Sequence, residues 1–151
     1  MKSILYLAKE PDAGVRNDLK VISETISTNI TIVDCLNVYG DYYRKKGYNC
    51  ISKTEFFEET NMHFDATLGN PPYQRPREVR NIGSPIWPDF IEQSIKLIKD
   101  DGIIKLVVPA TWLKRLNGKA WNIIKSNNLV ACDPDVKWAF PNVGGHGGTF
   151  S

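Results

Sequence analysis

Long apolar runs are missing from the sequence, and so are paired cysteines. No run reaches the roughly 20 residues that a membrane-spanning helix needs, so we expect no membrane partner. The cysteines and histidines do not show the spacing of a metal site; they are Cys35, Cys50, Cys132, His63 and His146. An odd cysteine count without such spacing indicates reduced thiols. We therefore expect a cytoplasmic protein that binds no metal.

Strong charge of either sign is also lacking. The formal net charge of +2 permits a polyanionic partner but does not demonstrate one. The 151 residues are enough for one domain with its own core and too few for two. The contents of 42% hydrophobic and 24% charged residues are those of an ordinary soluble domain rather than of a disordered chain.

Strand-like and helix-like segments alternate along the chain. Apolar, β-branched runs predict strands at residues 3–8, 29–34, 50–52, 65–68, 103–109 and 129–133. Helical spacing and capping signals predict helices at residues 18–27, 38–46, 87–99 and 119–126, the first capped by Asn17. This alternation predicts an α/β fold with a doubly wound, mainly parallel sheet. Right-handed crossovers then place the functional loops at the carboxyl ends of the strands.

The strongest chemical signal is Gly69-Asn70-Pro71-Pro72-Tyr73, directly after a predicted strand. The amino nitrogen of adenine is a poor nucleophile because its lone pair is delocalised into the ring. An asparagine side-chain carbonyl and an adjacent backbone carbonyl can accept hydrogen bonds from it, and consecutive prolines bring no competing N–H donors. The following aromatic ring can stack on a base turned out of the duplex, which contributes roughly 1–3 kcal/mol. The alternative is a Pro-Pro turn that only ends a strand.

Further segments occur in an order that resembles the gamma-type adenine-N6 DNA methyltransferases. FDATLGNPPYQ at residues 64–74 looks like the catalytic motif of that family, and DGIIKLVVPATWL at residues 101–113 resembles the strand and loop that support its active site. KWAFP at residues 137–141 resembles its late motif. The resemblance implies a Rossmann-like methyltransferase fold. It also implies catalytic roles for Asn70, Pro71, Pro72, Tyr73 and Phe140, with Phe140 stacking on the second face of the flipped base.

The resemblance further implies a site for S-adenosylmethionine, formed by the loop after the first strand and by acidic residues at the ends of the next two strands. The implied cofactor residues are Glu10, Gly14, Asp34, Glu55 and Phe56. Asp34 would hold the ribose hydroxyls, and the Glu55–Phe56 pair would contact the adenine of the cofactor. Arg16 stands where the family has a second glycine, so we expect weaker cofactor binding than glycine would give. The alternatives are an incidental surface loop and an ordinary acid at a strand end.

Three arginines, Arg75, Arg77 and Arg80, follow the catalytic motif. We predict that they contact DNA phosphates, although a solvated charged loop would look the same. The chain stops where the proteins that it resembles continue into a target-recognition region. We therefore expect residues 1–151 to be a catalytic domain truncated near its C-terminal end. A missing C-terminal region or a separate chain would then supply target recognition.

The predicted function is methylation of adenine N6 in DNA after base flipping, as in a restriction-modification system. One alternative keeps the site but changes the substrate to RNA or to protein glutamine. The other is a degenerate, non-catalytic subunit that binds DNA or a partner protein. The arginine-containing loop and Phe140 favour a nucleobase substrate, whereas Arg16 and the missing C-terminal region favour the degenerate subunit.

Overall fold

The computed structural model describes residues 1–25, 27–74, 85–114 and 116–133. Within these ranges the strands are β1 Lys2–Ala8, β2 Thr28–Asp34, β3 Asn49–Ser52, β4 Phe64–Gly69 and β5 Ile98–Leu106. The helices are α1 Ala13–Thr25, α2 Gly40–Lys45, α3 Lys53–Glu58, α4 Trp87–Leu97 and α5 Lys119–Lys125, and a 3-10 helix covers Ala110–Lys114.

The five strands form one parallel sheet in the order β3-β2-β1-β4-β5. At the carboxyl end of the central strand, Ala8 pairs with Asp34 of β2 and Leu7 pairs with Gly69 of β4. The chain moves outward through β2 and β3 and then crosses to the other side of β1 for β4 and β5. Right-handed crossovers therefore place the connecting helices on opposite faces. The predicted Rossmann-like, doubly wound fold is confirmed.

An apolar cluster on one face of the sheet explains how the first two helices are held. The cluster consists of Tyr6, Ala8, Leu19, Ile30, Ile32 and Tyr43. These side chains come from β1, β2, α1 and α2, so both helices bury their apolar positions against the two strands. Burial of a large apolar side chain contributes roughly 1.5–3 kcal/mol. Because α2 has only six residues, it depends on this packing rather than on intrinsic helix stability.

The chain divides into two compact units. The first comprises residues 1–72 and 93–106, and the second comprises residues 73–92 and the chain from residue 107 onward. The first unit contains the whole sheet. In the second, Lys119 of α5 donates hydrogen bonds to Asp89 at 2.6 Å and to Glu92 at 2.9 Å. The rings of Trp112 and Trp121 stack there with centroids 6.2 Å apart. These contacts join α5, the 3-10 helix and the first turns of α4.

The start of α1 corrects the sequence prediction. The helix begins at residue 13 rather than 18, and the predicted cap Asn17 lies inside it, exposed. Asp12 is the cap, because its Oδ1 accepts the N–H of Val15 at 2.8 Å. The sequence Asp-Ala-Gly-Val contains a capping residue but also a glycine, which has a low helix propensity. The first turn of α1 is therefore difficult to predict from the sequence.

Helix α3 is absent from the sequence prediction. Ser52 Oγ accepts the N–H of Glu55 at 3.1 Å, and Glu55 Oε2 accepts the N–H of Ser52 at 2.6 Å. This reciprocal pair is a capping box, and Ser-x-x-Glu is its readable signal in the sequence.

The last two predicted strands also need correction. Residues 129–133 form no strand, and the side chains of Leu129 and Val130 are 53% and 88% exposed. A strand needs a neighbour, and the described part of the chain provides none for this segment. Strand β5 starts at Ile98, earlier than predicted, because Ile98 pairs with Phe64 before the register shifts. It ends at Leu106 rather than at residue 109.

The remaining structural expectations concern membranes, metals and thiols. No helix within the described ranges is long and apolar enough to cross a membrane. In the same ranges no group of three or more His, Cys, Asp or Glu side chains is placed to hold a metal ion. Cys35, Cys50 and Cys132 are free thiols. Burial, followed by the charge of the neighbouring Asp34, raises the pKa of the Cys35 thiol, so this cysteine is an inert core residue.

Candidate functional site

The carboxyl edge of the sheet has a topological switch point between β1 and β4. In open parallel sheets, ligands bind in the crevice at such a point. Strand β1 leads into residues 9–12 and β4 leads into Asn70. Strand β2 leads into Cys35, whose N–H donates to the carbonyl of Ala8 at 2.9 Å. Three loops of the first unit therefore start side by side at this edge.

Gly69 sets the direction in which the chain leaves β4. Its φ is +138°, and an added Cβ would overlap the carbonyl oxygen of Leu7 and lie 2.9 Å from the Leu7 nitrogen. Only glycine permits this conformation together with such a close approach of β1. The N–H of Asn70 then donates to the same Leu7 carbonyl at 3.3 Å. The predicted position of Asn70, just past the carboxyl end of the fourth strand, is confirmed.

Asn70 contributes a buried hydrogen-bond acceptor at this edge. Its Oδ1 is shielded from solvent and has no hydrogen-bond partner within the described ranges. Pro71 is fully buried and Pro72 is half-buried. An unpaired buried acceptor costs about 1–3 kcal/mol, so its presence is easier to explain by a ligand than by folding. A ligand with an N–H donor would offset this cost.

The loop between β1 and α1 is closed by its own hydrogen bonds. The N–H of Asp12 donates to the carbonyl of Glu10 at 2.8 Å, and Arg16 Nη1 donates to the carbonyl of Pro11 at 2.7 Å. Gly14 lies in the first turn of α1, where an added Cβ would be 3.3 Å from Asp12 Oδ1. Glu10, Gly14 and Arg16 are exposed. The loop is thus shaped in advance and presents charge of both signs to solvent.

Lys9 is a charged residue of this loop that the sequence prediction does not include. It follows β1 directly and is half-buried. Burial lowers the pKa of its amino group, while the nearby Glu10 and Asp12 act in the opposite direction. The sequence Lys-Glu-Pro-Asp shows that charged residues follow β1. It does not show that the lysine is partly buried.

Asp34 lies where it is expected, at the carboxyl end of β2, but it is only 2% exposed. Its Oδ2 accepts the N–H of Tyr39 at 2.7 Å, and its Oδ1 accepts the N–H of Leu36 at 3.3 Å. The carboxylate therefore organises the loop after β2. An ionised carboxylate has about four acceptor sites, so a contact with ribose hydroxyls is compatible with these bonds and stays a prediction.

The predicted cofactor pair Glu55–Phe56 lies in the first turns of α3 rather than at the end of a strand. Glu55 is exposed, and its capping hydrogen bonds, with the backbone N–H bond foremost, lower the pKa of its carboxyl group. Phe56 is 0% exposed, and its carbonyl accepts a hydrogen bond from Gln93 Nε2 at 2.8 Å. The neighbouring Phe57 is half-buried, with its ring edge-on to Phe56 at a centroid distance of 5.0 Å. Phe57 is thus the ring of the two that leaves a surface open to a ligand.

The other predicted site residues fall outside this unit or outside the described residues. Tyr73 belongs to the second unit, is half-buried, and its carbonyl accepts the N–H of Ile86 at 3.1 Å. Phe140, Arg75, Arg77 and Arg80 lie outside the described residues, so their roles stay predictions.

The carboxylates at the carboxyl edge of the sheet fit S-adenosylmethionine chemically. This molecule carries ribose hydroxyls, an ammonium group and a cationic sulfonium. Glu10 follows β1, Asp34 is the last residue of β2, and Glu55 lies in α3 directly after β3; these three strands are neighbours in the sheet. Carboxylates accept hydrogen bonds from hydroxyl and ammonium groups and offset positive charge. Three carboxylates at or just after the ends of adjacent parallel strands therefore suit a cationic nucleoside.

The fold defines a Rossmann-like α/β domain, and the carboxyl ends of its strands are the candidate ligand site. The family described as Eco57I restriction-modification methylase matches residues 5–132, so the chain belongs to that family. The description of this family is that of a methylase.

Two solved structures resemble the chain at 12% sequence identity. One is SMU.776, described as a candidate methyltransferase complexed with SAH, with a TM-score of 0.48 over 79% of this chain and 35% of that chain. The other is an alcohol dehydrogenase superfamily protein from Novosphingobium aromaticivorans, with a TM-score of 0.44 over 83% of this chain and 41% of that chain. The chain thus spans well under half the length of either protein, and neither likeness bears on function. No curated protein matches the chain.

Proposed function

We propose that the chain methylates the N6 amino group of adenine in DNA, with the base turned out of the duplex and S-adenosylmethionine as the methyl donor. The observation that carries the proposal is Asn70 Oδ1, a buried acceptor without a donor among the described residues, at the carboxyl end of β4. An uncharged amino group is a suitable donor for an uncharged amide oxygen. Membership of a restriction-modification methylase family supports both methyl transfer and DNA.

In this proposal the protein activates the amino nitrogen by hydrogen bonding. Asn70 Oδ1 and the Pro71 carbonyl accept one hydrogen bond each from the two N–H groups of the amino nitrogen. These bonds favour a more tetrahedral nitrogen, whose lone pair is then available for attack. Pro72 adds no N–H that would compete for these acceptors. S-adenosylmethionine would supply the methyl group: its methyl–sulfur bond would break as the nitrogen–carbon bond forms, the electron pair would stay on sulfur, and the nitrogen would lose one proton to solvent. As the nitrogen becomes positive, both hydrogen bonds strengthen, which is the condition for lowering the barrier.

Two aromatic rings and three arginines complete the proposed substrate site. Tyr73 and Phe140 would hold the flipped base between them, and base–aromatic stacking contributes roughly 1–3 kcal/mol per base. This helps to offset the few kcal/mol that extrusion of a base costs. Arg75, Arg77 and Arg80 would contact the phosphates on either side of the flipped nucleotide.

The proposed cofactor residues surround the loop after β1. Glu10 and Gly14 would meet the methionine part, Asp34 the ribose, and Glu55 with Phe56 the adenine. Because Phe56 is buried, its contact would be made through the edge of α3, where the ring of Phe57 is partly open.

Replacement of Asn70 by alanine is the direct test. The variant lacks one acceptor in a site that excludes water, and loss of such a preorganised contact commonly reduces the rate by ~10²–10³. The measurement is transfer of labelled methyl groups to DNA. Asn61→Ala is the matched control, because Asn61 is exposed in the loop after α3. Full activity of Asn70→Ala would show that the mechanism is wrong.

The same assay distinguishes the substrate classes. DNA, RNA and a glutamine-containing protein are offered in parallel, because the side-chain amide of glutamine presents a similar NH₂ group to Asn70. Methylation of glutamine without methylation of adenine would show that the substrate class is wrong while the site is right. A chain that neither binds S-adenosylmethionine nor transfers a methyl group to any of them would be a non-catalytic subunit.

A further inference from the structure

The segment from Lys9 to Arg16, here called the β1–α1 segment, contains two cations and two anions. Lys9 and Arg16 carry positive charge, and Glu10 and Asp12 carry negative charge. Their formal charges cancel. A glycine at position 16 would leave the segment with one net negative charge, which would favour a cationic ligand.

The side chain of Arg16 is exposed, but a hydrogen bond holds it against the loop. Its Nη1 donates to the Pro11 carbonyl at 2.7 Å, and its own N–H donates to the Asp12 carbonyl at 3.0 Å in the first turn of α1. The guanidinium therefore lies against the loop that leaves β1 at the switch point. Its charge therefore acts from a defined position in this loop.

S-adenosylmethionine and S-adenosylhomocysteine differ by one methyl group and one charge. The methyl donor has a sulfonium, whereas the product has a neutral thioether. A positive charge near the sulfur weakens binding of the donor and leaves binding of the product almost unchanged. The charge on the β1–α1 segment therefore contributes to the ratio of the two affinities.

We propose that Arg16 is a specificity-determining residue of the cofactor site. By cancelling the negative charge of the β1–α1 segment, it lowers the electrostatic preference for S-adenosylmethionine over S-adenosylhomocysteine. This inference rests on the proposed function, which places the methionine part of the cofactor beside this segment.

Calorimetric titration with each of the two nucleosides tests the inference. We expect the wild type to prefer S-adenosylmethionine over S-adenosylhomocysteine less strongly than an Arg16→Gln variant does. Arg16→Gln removes the charge but keeps an N–H donor. We expect it to bind S-adenosylmethionine about three- to tenfold more tightly and S-adenosylhomocysteine within about twofold of the wild type. Arg16→Lys keeps the charge and should retain the affinity ratio of the wild type. High salt should reduce the difference between Arg16→Gln and the wild type, because Arg16 is exposed.

Lys20→Gln is the matched control. Lys20 lies one turn further along α1, and its side chain is 70% exposed and 3.9 Å from Glu24. Its replacement changes the net charge of the protein equally but should leave both affinities unchanged. The inference is wrong if Arg16→Gln shifts both affinities alike, or if Lys20→Gln reproduces its effect. Both of those outcomes leave the proposed function intact. If no form of the chain binds either nucleoside, the proposed function fails and the inference fails with it.

Discussion

Buried polar groups differ in how the chain satisfies them. Asp34 is held by two backbone N–H groups, and Gln93 donates to two backbone carbonyls. Asn70 Oδ1 has no such partner among the described residues. The hydroxyls of Thr28, Tyr43, Thr67 and Ser94 are also unpaired there, but they lie within β2, α2, β4 and α4. Asn70 instead lies where the chain leaves the sheet, so its unpaired acceptor is the one placed to meet a ligand.

Gly69 and Gly47 provide a matched pair of residues with positive φ. Gly47 has φ +88° and open space where a Cβ would lie, whereas a Cβ on Gly69 would overlap the backbone of Leu7. Gly47→Ala should therefore cost only the conformational strain, about 1–2 kcal/mol. Gly69→Ala should cost several kcal/mol more in the free energy of unfolding, because β1 and β4 must separate.

Urea unfolding of the two glycine variants checks this prediction. Because Gly69 also orients Asn70, methyl transfer by Gly69→Ala should fall further than its folded fraction alone explains. Equal losses in the free energy of unfolding for the two variants would show that the close approach of β1 to Gly69 does not add to the cost of a Cβ there.

Elements whose signal is local could be predicted from the sequence, and elements that depend on distant partners could not. The β-branched run of β2 and the motif that places Asn70 after β4 are readable in the chain itself. The capping box of α3 is also readable there, as Ser-x-x-Glu. The segment 129–133 has the same apolar character as a strand but lacks a neighbour among the described residues. The burial of Phe56 and of Lys9 depends on tertiary packing, which residue spacing does not reveal.

The capping box of α3 gives a prediction at the scale of one element. Ser52→Ala removes the acceptor for the N–H of Glu55. The free energy of unfolding should fall by about 0.5–2 kcal/mol. Ser52→Thr keeps a capping hydroxyl and should be nearly neutral. Ser23→Ala is the control, because Ser23 is exposed and its hydroxyl donates to the carbonyl of Lys20 in the same helix, α1. An unchanged stability of Ser52→Ala in thermal or urea unfolding would show that packing of Phe56 alone holds the helix.

The first unit as a whole separates its functional edge from a stabilising edge. The proposed site lies at the carboxyl ends of the strands. At the amino ends, Asp65 of β4 joins three strands. Its Oδ2 accepts the N–H of Ser3 in β1 at 2.7 Å, and its Oδ1 accepts a hydrogen bond from Lys99 of β5 at 2.9 Å. Because the two edges are at opposite ends of the same strands, changes at Asp65 should alter stability without altering ligand binding.

Asp65→Asn tests this separation through its pH dependence. The backbone N–H of Ser3, followed by the Lys99 ammonium, lowers the pKa of the Asp65 carboxyl group below its ordinary value of 3.8. A carboxyl group whose pKa is lower in the folded state adds stability above the pKa of the unfolded state. That stability is lost as the pH falls from about 4 towards the lowered pKa. The Tm of Asp65→Asn should therefore lie below that of the wild type at pH 7, and the difference should shrink as the pH falls below about 4.

The control for Asp65→Asn is Asp101→Asn, an exposed aspartate of β5 whose replacement removes the same charge nearby. Its Tm should follow that of the wild type at both pH values, because surface charges contribute little when screened by solvent. A Tm difference for Asp65→Asn that stays constant with pH would mean that the side chain acts through packing rather than through its charge. A change in S-adenosylmethionine affinity in Asp65→Asn at neutral pH would mean that the two edges of the sheet are coupled. We expect neither, because β1 and β2 are mostly buried and the parallel strands are hydrogen-bonded to one another between the two edges.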